Sequence, residues 1–186
     1  MTVVSGDPTT DRQSFEAYVP GVELDCFARD LGGSTLHVVV AAAGRALGTH
    51  ADIARTLAGD GGDPSRVGLR MATGRVAVVR DAPTAKLPHL RDEVDRLIRR
   101  AGNGRLTDAD TAAAPITVVD HGDGRSRAAR PGGGTGCVLE FEPVVDDPQA
   151  LRLTVDVGRS TIGPADATQF LETLARLLAH PYRRLV

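Results

Sequence analysis

The segment VVDHGDG, residues 118–124, sets an imidazole among carboxylates: Asp120 precedes His121 and Asp123 lies two residues beyond it. An imidazole changes charge near neutral pH, so an acid-oriented histidine can take a proton from a nucleophile and return it later. Asp and Gly also favour plain turns. Two readings of His121 therefore stand: a general base with Asp120 or Asp123 as orienting group, or a solvated loop histidine. RSRAARPGGGTG, residues 125–136, offers three arginines and a glycine run that could meet a phosphate or coenzyme A. It has no GK[ST] ending and no helix directly after it, so a P-loop reading fails and a flexible loop is preferred. His37, His50, His89 and His180 show no HExxH-like pairing and are expected on the surface or on helix faces. Cys26 and Cys137 lack zinc-ligand spacing and are expected as two buried thiols, not a disulfide. Glu140, Glu142, Asp146 and Asp147 read as a solvated face.

These groups need a scaffold, and 186 residues suffice for one domain with a sizeable core. Aromatics make up 3% and Trp is absent, so that core must be Val, Leu, Ile and Ala. A formal net charge of −2 gives no electrostatic ground for nucleic acid or anionic membrane as partner. No apolar run approaches the roughly 20 residues of a membrane span. MTVVSGDPTTDRQS lacks a basic start followed by an apolar stretch, so a secretory signal is not expected and the location read is cytoplasmic.

Residues 1–13 read as a loose tail and 14–186 as one domain. SFEAYVPGVELDCFARDL suggests a strand or bent strand near 15–25. STLHVVVAAAGRALGTHADIARTLAG opens with Ser34 and Thr35 as N-cap candidates and carries helical apolar spacing at Leu36, Val39, Val40, Ala43 and Leu47. VGLRMATGRVAVVRDA predicts two strands across a Thr73–Gly74 turn. PHLRDEVDRLIRRAGNG predicts a helix with Leu90, Val94, Leu97 and Ile98 on its inner face and Gly102 at its end. APITVVDHG, CVLEFEPVV and ALRLTVDV predict strands, and PADATQFLETLARLLAHP a closing amphipathic helix. The mixture predicts an α+β domain of layered sheet and helices.

VAVVRDAPTAKLPHLRDEVDRLIRRAGNGRLTDADTAAAPITVVDHG resembles a segment of the catalytic domain of the dihydrolipoamide (2-oxoacid dehydrogenase, E2) acyltransferases, where a PVIRDAD strand leads to a helix and then to a GGTFTISNLG strand. LRLTVDVGRSTIGPADATQFLETLARLLAHP is similar to that family's terminal strand, DHRVIDG loop and last helix. TLHVVVAAAGRALGTHADI is similar to its early AxxxALxxHPxxN helix. The likeness extends from about residue 15 to 186, and the order of elements carries it, since no single motif is intact.

The resemblance implies a chloramphenicol-acetyltransferase-like fold, a homotrimer, and active sites in channels between subunits that coenzyme A and a dihydrolipoyl thiol enter from opposite ends. Aligned through ADATQFL, the family's general-base histidine falls on Arg159, with Ser160 beside it. Its oxyanion-stabilising serine falls on Val119, and Thr117 matches the threonine two residues earlier. Guanidinium has a pKa above ~12, so fewer than about one molecule in 10⁵ could accept a proton at pH 7. The family's mechanism is therefore expected to be lost. The polar groups left for a small-molecule substrate are Arg159, Ser160, Thr117 and His121. Arg159 reads as an anion-binding fork or as an exposed arginine paired with an acid. No cofactor and no metal is assigned; a coenzyme A thioester is the candidate ligand. Two readings of function follow: an acyltransferase-fold enzyme repurposed for small-molecule biosynthesis (cyclisation, elimination or altered acyl transfer), or an inactive relative serving as a binding or assembly subunit.

Overall fold

The computed structural model describes residues 12–122, 136–158 and 161–186. Residues 1–11 of the expected tail, most of the arginine–glycine loop, Asp123, Arg159 and Ser160 lie outside the described residues. Six strands and six helices follow in the order β1 (Arg12–Pro20), α1 (Gly21–Asp30), α2 (Thr35–Thr49), α3 (Ala51–Ala58), β2 (Val67–Arg70), β3 (Val76–Val79), α4 (Leu87–Gly102), β4 (Ile116–Asp120), β5 (Cys137–Val144), β6 (Asp147–Gly158), α5 (Pro164–Ala179) and α6 (Pro181–Arg184). The strands form one mixed sheet in the order β1-β6-β5-β4-β2-β3. β4 runs parallel to β2 and β5, and the remaining pairs are antiparallel.

Side chains alternate across a strand, so the registers sort every residue onto one of two faces. Phe15, Ala17, Val19, Leu69, Ile116, Val118, Leu139, Phe141, Leu153 and Val155 fall on one face, all buried in a single core with the apolar sides of α2, α4 and α5. The opposite face carries Ser14, Glu16 and Tyr18 from β1, then Asp156, Thr154 and Arg152 from β6. Glu140 and Glu142 of β5 and Thr117 and Val119 of β4 continue it. The buried Val78, Val119 and Val138 also lie on this second face. The domain is an α+β layer with one face packed in the main core and the other carrying most of the sheet's polar residues. Gly68 allows the approach of β4 there: a Cβ on it would meet Thr117 Oγ1 at 3.0 Å and Val76 Cγ1 at 2.9 Å.

The structure corrects several expectations. Residues 21–30 are helix, not bent strand. Pro20 ends β1 with extended backbone and caps α1, and Leu24, Phe27 and Ala28 recur at the spacing that buries one helical face. The long early helix breaks at His50, which closes α2 and opens α3 with φ −113° and ψ 61°. On α4 the fourth inward residue is Ala101; Ile98 is 40% exposed. Burying each large apolar side chain on that face contributes about 1.5–3 kcal/mol. Cys26 is exposed, contrary to expectation, while Cys137 is buried, and both are free thiols. Among the described residues no helix is long and apolar enough to cross a membrane, and no group of His, Cys, Asp and Glu could hold a metal ion.

Candidate functional site

β4 delivers the chemistry-bearing residues to the polar face. Its pattern TVVDH alternates Thr117, Val119 and His121 on that side with Val118 and Asp120 on the other. The backbone N–H of His121 donates to Phe141 O at 3.1 Å, which prolongs the β4–β5 ladder by one residue. The ladder turns the imidazole toward β5, and His121 Nε2 lies 3.5 Å from Glu140 Oε2. The His121 side chain is 14% exposed and that of Glu140 33%.

His121 is therefore a largely buried strand-end residue beside Glu140, an acid that the sequence reading did not pair with it. Asp120 faces the helix side and accepts the Gly122 N–H at 2.7 Å. Glu140, read from the sequence as part of a solvated face, is the residue missed. Only the parallel register, which sets Val119 beside Glu140 and Asp120 beside Phe141, brings the pair together. A histidine at a strand end and an acid at an alternate position of the next strand were the available signals. The pairing of β4 with β5 was not.

Val119 is 4% exposed, so an apolar side chain fills the position where the resemblance places a serine. Thr117 is half-buried on the same face, four residues and about 13 Å along the strand from His121. Arg159 and Ser160 lie outside the described residues, and the flanking Gly158 pairs with Arg12. Gly158 is four residues along β6 from Thr154, the residue level with Glu140. His121 follows Asp120 and so is level with Glu142 and Arg152, which puts the end of β6 six residues, about 20 Å, along the sheet from it within one chain. Elsewhere on this face the charges already have partners. Arg152 pairs with Glu142, which pushes its guanidinium further up, and Ser14 donates to Asp156.

The architecture defines a class, a six-stranded mixed sheet with its helices packed against one face and most of its polar residues on the other. That class is the chloramphenicol-acetyltransferase-like fold of the E2 acyltransferase cores. The dihydrolipoamide acetyltransferase of Azotobacter vinelandii, with roles examined for a serine, a histidine and an asparagine in its catalytic mechanism, superposes with a TM-score of 0.75 at 20% identity over 94% of this chain and 84% of that one. A probable dihydrolipoamide acetyltransferase of Listeria monocytogenes gives 0.70 at 20% identity, over 90% and 83%. A chloramphenicol acetyltransferase gives 0.64 at 12% identity, over 91% and 89%. No protein-family model and no curated protein matches the chain. The fold implied by the order of elements is borne out.

Proposed function

We propose that the chain is an acyltransferase-fold enzyme that has given up thiol-to-thioester exchange and works on a small molecule in a channel between subunits of a homotrimer. The observation that carries the reading is the His121–Glu140 contact of 3.5 Å on the polar-rich face of the sheet. A carboxylate against one ring nitrogen orients the ring, which leaves the other nitrogen to exchange a proton with a substrate. Thr117 adds a hydroxyl on the same face. Arg159 and Ser160 follow β6, whose end is remote from His121 in one chain. A site using both sets requires a second copy to supply one of them.

The exchange mechanism has lost its groups in this reading. Val119 offers no hydroxyl, and Arg159 takes the place of a base in the alignment. Removing a general base costs typically ~10²–10⁴ in rate, and removing an oxyanion donor a further ~10²–10³. Proton transfer by His121 suits cyclisation, elimination or altered acyl transfer on a substrate held by coenzyme A or free of it.

A specific observation favours a second reading, an inactive binding or assembly subunit. Arg152–Glu142 and Ser14–Asp156 satisfy one another across the polar-rich face and leave fewer groups for a ligand. The two readings separate in one experiment. A library of acyl thioesters and carboxylates is incubated with the protein and conversion is followed by mass spectrometry, with sedimentation run in parallel. A converted compound whose turnover falls ~10²–10⁴-fold in His121→Ala, and less in Glu140→Gln, upholds the enzyme. A trimer that converts nothing, or conversion indifferent to His121, sinks it.

A further inference from the structure

A second constellation lies on the helix side of the sheet. Ser34, the N-cap of α2, has its Oγ 3.0 Å from His37 Nδ1. His37 Nε2 in turn lies 3.1 Å from Asp95 Oδ1 on α4. The backbone fixes the tautomer, because the Ser34 N–H donates to His37 Nδ1 at 2.9 Å. A nitrogen that accepts this bond carries no hydrogen. Nε2 therefore holds the ring proton and donates it to Asp95, and the Ser34 hydroxyl is a second donor toward Nδ1, sharing its one lone pair with the backbone N–H. Hydroxyl, imidazole and carboxylate form one chain of hydrogen bonds running in one direction. The ring is deeply placed, with 7% of its side chain exposed against 42% for Asp95, whereas Ser34 is exposed. Gly33 permits the approach, since a Cβ there would sit 3.1 Å from Nδ1.

Ser34 also lines a cavity of about 240 Å³ between α1, the start of α2 and the far ends of β5 and β6. Thr35 and Leu36, the first two residues of α2, line it as well. Their N–H groups have no partner within the helix and sit at its positive end. Leu24, Phe141 and Leu151 supply apolar walls, and Asp25 and Asp120 supply carboxylates.

We propose that Ser34 is a nucleophile, His37 its general base and Asp95 the positioning residue for the ring, together forming an acyl-transfer site that accepts short esters. Ser34 Oγ attacks the ester carbonyl carbon, and its proton passes to His37 Nδ1. The carbonyl electrons move onto oxygen beside the first N–H groups of α2. On collapse the C–O bond to the leaving alcohol breaks, and His37 returns the proton to the departing oxygen. Water then attacks the acyl-Ser34 ester, giving its proton to His37. The carboxylic acid leaves and Ser34 Oγ is reprotonated.

The cavity selects the substrate. Among the described residues its lining holds two carboxylates and no lysine or arginine, which suits an uncharged or cationic ester.

Capping alone would give the same contacts a structural purpose, because Ser34 and His37 form a capping box over the start of α2. The variant His37→Gln separates the two roles: glutamine is a normal capping-box residue but cannot act as a base. Ser34→Asn keeps a capping acceptor and removes the nucleophile. The protein is treated with p-nitrophenyl butyrate and with a fluorophosphonate, and the labelled peptide is mapped by mass spectrometry. The expected result is label on Ser34 and none there in Ser34→Asn. The labelling rate falls ~10²–10⁴-fold in His37→Gln, while both variants melt cooperatively near the parent. Asp95→Asn slows labelling and Asp95→Glu restores part of it. Absence of label on Ser34 in the parent protein overturns the proposal. So does label on Ser34 that forms equally fast in His37→Gln.

Discussion

Asp110 offers a stability test whose pH dependence can be worked out beforehand. Its carboxylate is buried, at 6% exposure, in the turn between α4 and β4. It accepts the Thr107 N–H at 2.9 Å and the Thr107 hydroxyl at 2.7 Å, and it meets Arg96 at 3.1 Å and Arg100 at 3.4 Å. The Thr107 N–H first, with the Thr107 hydroxyl and the two guanidinium groups, holds the acid at about 2 where an ordinary aspartate lies at 3.8. A native value below the unfolded one means stability that is present above the unfolded value and lost as pH falls through the native one. At roughly 1.4 kcal/mol per pH unit the difference contributes up to about 2 kcal/mol at pH 7. Asp110→Asn keeps the size of the side chain and removes the charge. For a chain of this length the loss corresponds to a melting temperature lower by about 4–8 °C. The gap should shrink to about half near pH 3, where the parent carboxylate has lost much of its advantage. Thermal and urea melts of both proteins from pH 7 to pH 3 measure it. No loss at pH 7, or a gap of constant size down to pH 3, would refute the reasoning.

Two further expectations rest on single residues. Gly44→Ala should stabilise α2 by about 1 kcal/mol on helix propensity alone. The added Cβ, however, would lie 2.5 Å from Ala82 O, and overpacking against backbone costs about 1–3 kcal/mol. The melting temperature should therefore fall, and a rise would show that this close approach relaxes freely. A thiol reagent at pH 8 should modify Cys26 alone, since burial pushes Cys137 up to about 12; two rapid equivalents per folded chain would contradict the packing of β5.

Much of the fold was legible because its elements are strongly periodic. The inner faces of α4 and α5 and the N-cap at Ser34 follow from apolar spacing and cap chemistry that act within a few residues. α1 was misread because VPGVELDCF mixes β-branched and aromatic residues, and the burial of Leu24, Phe27 and Ala28 against neighbouring elements decides for helix. On α4 the sequence pattern assigned Ile98 to the inner face, whereas Ala101, three residues on, is the buried residue. The candidate sites were less legible, since both depend on contacts between distant segments. Glu140 meets His121 through a parallel strand pair separated by nineteen residues of sequence, and Asp95 meets His37 across fifty-eight. His37 looked like an ordinary helix-face residue, and neither its burial nor its partner could be read from spacing.

The account turns on whether this scaffold still performs thioester exchange. The most direct measurement is the rate of acetyl transfer from acetyl coenzyme A to dihydrolipoamide, followed as coenzyme A release with and without protein. If Val119 and Arg159 stand where the resemblance puts the oxyanion serine and the base histidine, the rate should not rise above the uncatalysed background at any pH between 6 and 9. Saturable turnover of the order of 1–10³ s⁻¹ that persists in His121→Ala would contradict it.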